Sequence, residues 1–268
     1  MITSTSNSGV KMVKTLLAKA RARKQNNCFV AEGSRMVLET PEELLQEIYI
    51  SQSYLEKIQS DEIGNESNIF GKFQNKIHVV SDGVMKDMSD TQTPQGILAV
   101  IRCPEYDMND LMDASGEKTF LLVLENVQDP GNLGTMFRTA EGAGATGIIM
   151  SKDTVDIYNP KTVRSTMGSL YRMPYVIVDN LRDEVEKLKS KGVKFYAAHL
   201  RGKDDYDRFD YTGPTGFFIG NEGNGLTDEL SHLSDEYVKI PMSGEIESLN
   251  AAMAAGILMY EANRQRRI

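Results

Sequence analysis

The sequence predicts an α/β fold, and three observations carry that prediction. Short apolar runs of strand length alternate with helix-like segments along the chain. The run Phe120-Leu121-Leu122-Val123-Leu124 has no polar alternation, the pattern of a parallel strand covered on both faces. After four intervening residues, Asp129-Pro130-Gly131 is turn chemistry, followed by a helix expected to run through Arg138 to about Ala143 with Asn132 as its cap. A strand, a tight polar loop and a helix N-terminus place Asn132 and Arg138 at the carboxyl edge of a parallel sheet, where ligands of open α/β sheets bind.

From the N-terminus, Val13, Leu16, Leu17 and Ala20 form a helical apolar stripe leading into Cys28-Phe29-Val30-Ala31-Glu32-Gly33, the first expected strand. The Ser/Thr-rich start, free of acids until Glu32, raises the possibility of a mitochondrial transit peptide. The stripe meets the strand without a cleavage-like break, so a folded start is expected. There follow a helix near Ser34 to Leu45, a strand Glu47 to Ser51, a helix Ser53 to Ser60 and a polar surface loop Asp61 to Ser67. A strand Ile77 to Val80, a short helix Asp82 to Met88 and an apolar strand Gly96 to Arg102 close a small α/β domain over residues 1–102. His78, alone in an apolar run, reads as a core histidine. Residues 103–118 are polar, acidic and turn-rich, the composition of a linker, which leaves 119–268 as a second domain.

In that second domain Gly142-Ala143-Gly144-Ala145-Thr146-Gly147 matches the dinucleotide fingerprint letter for letter. The fingerprint must follow a strand and open a helix, whereas here it ends a helix and leads into the strand Ile148-Ile149-Met150, so it reads as a helix C-cap and a nicotinamide enzyme is rejected. Asn159-Pro160 starts a helix to about Ser169, Tyr175 to Val178 is a strand, Leu181 to Ser190 an amphipathic helix, and Val193 to His199 another strand. The strand Thr215 to Ile219 runs into Gly220-Asn221-Glu222-Gly223-Asn224-Gly225, a carboxylate in a loop whose backbone can approach a ligand closely. A last strand, Tyr237 to Ile240, precedes Pro241-Met242 and Ser248-Leu249-Asn250, with Ser248 as the expected cap of a final helix opening on small residues.

Composition is that of a globular protein, with no apolar run approaching the roughly 18 residues of a membrane span. Two cysteines, Cys28 and Cys103, are too few for a disulfide framework or a zinc cluster, which fits a reducing, cytoplasmic setting, and no metal is expected. Net charge is −8, but residues 1–35 carry +6 and the remainder −14. That basic stripe is the footprint of a polyanion, and Lys11, Lys14, Arg21, Arg23 and Arg35 are its candidate RNA contacts.

Three strand-end loops thus stand together: Asn132-Leu133-Gly134 with Arg138, Gly220-Asn221-Glu222-Gly223, and Ile240-Pro241-Met242 followed by Ser248-Leu249-Asn250. In order and spacing this set resembles the signature motifs of the SpoU (TrmH) family of RNA ribose 2′-O-methyltransferases, in the SPOUT class. The basic helix, Phe29 to Arg35 and Thr93-Pro94-Gln95-Gly96 also resemble the substrate-binding domain of many members. The resemblance implies a small N-terminal α/β domain and a parallel-sheet SPOUT domain with a deep trefoil knot. It implies a homodimer, and S-adenosylmethionine as cofactor in a pocket formed by Gly220, Asn221, Ile240, Met242, Leu249 and Asn250. By the same resemblance Arg138 handles the ribose 2′-hydroxyl and its neighbouring phosphate, Glu222 and Asn132 orient it, and Ser248 and Asn250 position substrate and cofactor. A separate N-terminal domain resembles the large-subunit ribosomal RNA modifiers more than the transfer-RNA members. Transfer-RNA modification and a catalytically silent RNA-binding relative are the alternatives.

Overall fold

The computed structural model describes residues 1–60, 73–199, 202–246 and 248–267, so the polar segment 61–67 lies outside the described residues. The chain divides into two compact units, residues 1–105 with 156–171, and residues 106–155 with 172–268.

In the first unit, strands β1 (Cys28–Glu32), β2 (Leu45–Ser51), β3 (Ile77–Val80) and β4 (Ile97–Arg102) form a sheet of order β1-β4-β2-β3. β4 pairs antiparallel with both β1 and β2, and β2 runs parallel to β3. Helices α1 (Ser8–Ala18) and α2 (Ala20–Asn26) precede β1, α3 (Ser34–Leu38) follows it, and α4 (Gln52–Gln59) and α5 (Asp82–Met88) flank β3. The expected stripe buries Val13 and Leu16 with Val10, against Val30, Tyr49, Leu98 and Val100. The helix expected at Ser34 to Leu45 stops at Leu38, before a turn at Pro41. His78 is a correction: its side chain is 41% exposed, lies 4.0 Å from the Glu47 carboxylate and stacks on Tyr49.

The second unit is built on seven parallel strands in the order β7-β6-β5-β10-β8-β11-β9. Their ranges are β5 (Phe120–Leu124), β6 (Gly147–Ser151), β7 (Tyr175–Val178), β8 (Lys194–Ala198), β9 (Asp204–Asp205), β10 (Thr215–Ile219) and β11 (Glu236–Lys239). β5 and β10 lie centrally and every residue in both is buried, which is why neither alternates in polarity. Helix α6 (Pro130–Ala143) ends at Gly144 in the left-handed conformation, φ 78°, so the glycine fingerprint is a helix terminus. Gly147 tolerates no side chain, since a Cβ there would lie 2.2 Å from Leu111 Cγ.

That contact corrects the expected linker. Leu111 is fully buried in the core with Leu121, Val123 and Leu181, so residues 106–118 pack as part of the second unit rather than tethering it. Residues 156–171, assigned from sequence to the second domain, belong to the first unit. They include α7 (Pro160–Thr166), and Asp156 receives the buried guanidinium of Arg23. Helix α8 (Leu181–Ser190) matches its expected bounds, and α9 (Asp228–Ser231) is a single turn. The last helix, α10 (Ala251–Arg266), packs along α6 and is anchored at its end by Arg266, which donates to the carbonyls of Lys118, Thr119, Tyr211 and Gly213.

Candidate active site

Asp129, not Asn132, caps α6. Its Oδ1 accepts the Asn132 N–H at 2.8 Å, and Pro130 occupies the first helical position. A carboxylate there answers the exposed N–H groups and the positive end of the helix dipole, and proline at the next position needs no acceptor. The Asn132 side chain is therefore released from capping. Its Nδ2 donates to Glu222 Oε1 at 2.9 Å and its Oδ1 accepts from Asn250 Nδ2 at 2.9 Å. This amide orientation gives each partner a donor or acceptor of the right kind.

Glu222 lies in the glycine loop after β10. Its Oε1 also accepts the Asp129 N–H and its Oε2 the Gln128 N–H, both at 3.0 Å. Burial pulls its carboxyl up, but the hydrogen bonds from Asn132 and from the Gln128 and Asp129 N–H groups outweigh that and hold it below the ordinary carboxylate value. The loop around it is tight. Asn221 N–H and Gly225 N–H each donate to the other's carbonyl, at 3.0 and 2.9 Å, and a Cβ on Gly220 would meet Gly225 C at 2.2 Å, so only glycine closes the turn.

Asn250 is the cap of α10, accepting from Ala252 N and Met253 N at 2.9 and 3.2 Å. Ser248 is the second misplaced cap: it is exposed two residues upstream and makes no hydrogen bond among the described residues, because the helix begins at Ala251. One asparagine side chain thus fixes a helix start with its oxygen and Asn132 with its nitrogen. Side chains 118 and 90 positions apart from or to Asn132 are joined in one hydrogen-bonded chain, Asn250 to Asn132 to Glu222.

Around this chain the ends of β10 and β11 present Gly220, Asn221, Ile240 and Met242, with Leu249 beside Asn250, all six partly or fully exposed. Apolar side chains left half open, beside backbone and amide groups at a carboxyl sheet edge, suit a flat heterocycle with a polar tail. Arg138 is exposed on α6 and makes no hydrogen bond or ion pair among the described residues, so its guanidinium is uncommitted. No group of three or more His, Cys, Asp or Glu side chains able to hold a metal occurs among the described residues, and no described helix is long and apolar enough to cross a membrane.

The five basic candidates separate. Arg23 is a correction: its side chain is 6% exposed, and it donates to Asp156 Oδ2 and to the carbonyls of Leu16 and Leu17, so it has nothing left for phosphate. Lys14 pairs with Asp87 at 2.8 Å and Arg35 with Glu39 at 3.0 Å, both at the surface. Lys11 and Arg21 are exposed without an ion pair among the described residues, as are Lys19 and Lys24. Sequence reasoning missed the Gln128 and Asp129 N–H groups. Asp before Pro-Gly was the available signal, because proline favours the first helical position and so marks the residue before it as the cap.

A parallel α/β sheet whose strand-end loops converge on an Asn–Asn–Glu chain defines a class, and comparison with known proteins identifies it. Residues 119–260 match the model of the SpoU rRNA Methylase family, and residues 7–99 match the MRM3-like substrate binding domain. The chain belongs to the SpoU rRNA Methylase family. It is 36% identical over 259 residues to the 23S rRNA (guanosine(2553)-2'-O)-methyltransferase RlmP of Bacillus subtilis (strain 168), covering 97% of each chain. Among solved structures, the AdoMet-bound rRNA methyltransferase from Sinorhizobium meliloti superposes with TM-score 0.84 at 30% identity, over 98% of this chain and 97% of that one. The A. aeolicus TrmH/SpoU tRNA modifying enzyme matches with TM-score 0.51 at 27% identity, over 59% of this chain and 78% of its own.

Proposed function

We propose that the protein is an S-adenosylmethionine-dependent RNA methyltransferase that methylates a ribose 2′-hydroxyl in large-subunit ribosomal RNA. The observation that carries this reading is the hydrogen-bonded chain Asn250–Asn132–Glu222, which gathers three separate strand-end loops at the carboxyl edge of one sheet. When bound, S-adenosylmethionine supplies a sulfonium methyl group. Gly220, Asn221, Ile240, Met242, Leu249 and Asn250 hold it, through backbone groups and half-open apolar side chains. The uncommitted Arg138 clamps the phosphate beside the target ribose, while Glu222 and Asn132 set the site's shape and Ser248 and Asn250 position substrate and cofactor.

Such a transfer needs in-line placement more than acid–base chemistry, so positioning supplies much of the rate. Transfer to the 2′-oxygen would break the methyl–sulfur bond and leave a neutral thioether, while the hydroxyl proton would pass to the phosphate clamped by Arg138 or to water. A guanidinium titrates above about 12 and does not serve as the base.

Ribosomal RNA is favoured over transfer RNA because the matched relative that modifies ribosomal RNA extends over both units, whereas the transfer-RNA modifier covers a little over half of this chain. The first unit serves as the RNA-binding domain, through Lys11 and Arg21 with Lys19 and Lys24. A knot is supported by topology: β10 inserts between β5 and β8, β11 lies on the far side of β8, and the helix that follows it, α10, packs back on α6. A homodimer is supported by α10, which leaves Met253 60% and Tyr260 50% exposed along one face. The setting is cytoplasmic.

The test is transfer of tritium from methyl-labelled S-adenosylmethionine to ribosomal RNA, followed by mapping of methylated riboses in a strain lacking the gene. No transfer to any RNA overturns the reading. Near-normal turnover of Arg138→Lys would overturn the bidentate clamp.

A further inference from the structure

The glycine loop that carries Glu222 belongs to no helix or strand, yet both of its ends are tied to two consecutive residues at the end of β5. Glu125 is 8% exposed and its carboxylate takes two hydrogen bonds from the far end of the loop, Thr227 N–H and Thr227 Oγ–H, both 2.7 Å. Its own N–H continues the sheet to Ile219 O at 2.9 Å. Asn126 holds the near end: its carbonyl accepts Asn221 Nδ2 at 2.9 Å, and also Gln128 Nε2 at 3.1 Å.

Asn126 does this from an unusual backbone. Three described non-glycine residues have positive φ, and two of them, Asn27 and Met167, end helices α2 and α7, where that conformation is routine. Asn126, φ 56°, lies two residues past the end of β5. Its N–H donates to Ser151 Oγ at 2.9 Å while its Oδ1 accepts from the same hydroxyl at 2.9 Å, so β6 holds it in place. The turn it makes sends the chain back, so that the Gln128 and Asp129 N–H groups, two and three residues on, meet the Glu222 carboxylate. A residue held away from its preferred backbone by its surroundings is expected where geometry serves function.

We propose that Glu125 and Asn126 are positioning residues: together they clamp both ends of the 220–227 loop and fix Glu222 and Gly220 relative to Asn132. The inference rests on the methyl-transfer reading. It assigns to these residues an action through the loop, by way of their hydrogen bonds to Asn221 and Thr227.

The experiment compares Asn126→Ala, Asn126→Gly and Thr227→Val with the full-length wild type, reading methyl transfer to ribosomal RNA, S-adenosylmethionine affinity by calorimetry, and thermal denaturation. Asn126→Ala, which disfavours the left-handed backbone, is expected to lower kcat about tenfold or more on folded protein, with KM for RNA nearly unchanged. Asn126→Gly, which keeps that backbone free, restores most of the loss. In a Glu222→Gln background Asn126→Ala costs much less, because both changes disable one device. Thr227→Val lowers kcat in the same direction, and both Asn126→Ala and Thr227→Val weaken cofactor affinity. A merely structural role predicts the opposite pattern, a lowered denaturation temperature with kcat per folded molecule unchanged and additive double variants, and that pattern overturns the proposal. Loss of transfer by wild type as well overturns the underlying reading instead. In that case an unchanged cofactor affinity across the three variants separately overturns the clamp.

Discussion

Asn132 can link Asn250 to Glu222 only because Asp129 caps the helix in its stead. Asp129→Asn should keep the cap and cost little, whereas Asp129→Ala should cost about 1 kcal/mol in denaturant unfolding. Glu222 sits below the ordinary carboxylate value, so its contribution to stability is complete above that value, 4.5, and is lost as pH falls through the lowered folded value. Melting curves of wild type and Glu222→Gln should therefore differ at neutral pH and converge in acid below about pH 4.5. A gap independent of pH would show that the charge is not what the network holds. Arg23 is the contrasting residue. Arg23→Ala strands Asp156 and two carbonyls in a site where the guanidinium is 6% exposed, and should destabilise by about 3 kcal/mol in equilibrium unfolding.

At the scale of elements, α6 and α10 are organised by what lies at their first turns and along their outer faces. The Tyr260 side chain of α10 reaches α6: a Cβ on Gly142 would lie 3.0 Å from its hydroxyl. Seven residues apart, Met253 and Tyr260 fall on one face of α10, both largely exposed. In the proposed homodimer a second copy would cover that pair. Met253→Glu is expected to shift the protein to monomer in analytical ultracentrifugation without changing its circular dichroism spectrum. A wild type that sediments as monomer throughout the micromolar range would remove the dimer from the reading.

For the whole molecule the governing fact is charge segregation, +6 in residues 1–35 on a chain of net −8. Arg23 and the paired Lys14 and Arg35 reduce what that stripe can offer, and Lys11, Lys19, Arg21 and Lys24 remain as uncommitted cations among the described residues. RNA affinity should fall steeply with salt, and each of Lys11→Ala and Arg21→Ala should reduce the slope of log affinity on log salt by about 0.7 to 0.9. Neither should alter the denaturation midpoint, in contrast to Arg23→Ala. A slope unchanged in both variants would take α1 and α2 out of the RNA interface.

The sequence by itself determined the α/β class, most of the strands and the loops that converge. Those properties are written in local signals: the unalternating runs at Phe120–Leu124 and Thr215–Ile219, and the glycines and prolines that follow them. It misread His78, both helix caps, the linker and Arg23, because each depends on which groups become neighbours. By residue type alone Asp129 and Asn132 are equally good caps, and Glu222, arriving from 90 positions away, claims the side chain of one of them. Arg23 looks like any other cation in a basic stripe until Asp156, 133 positions on, removes it from solvent. Only tertiary structure decides such cases, since a polar side chain has several adequate partners nearby in sequence and burial selects among them.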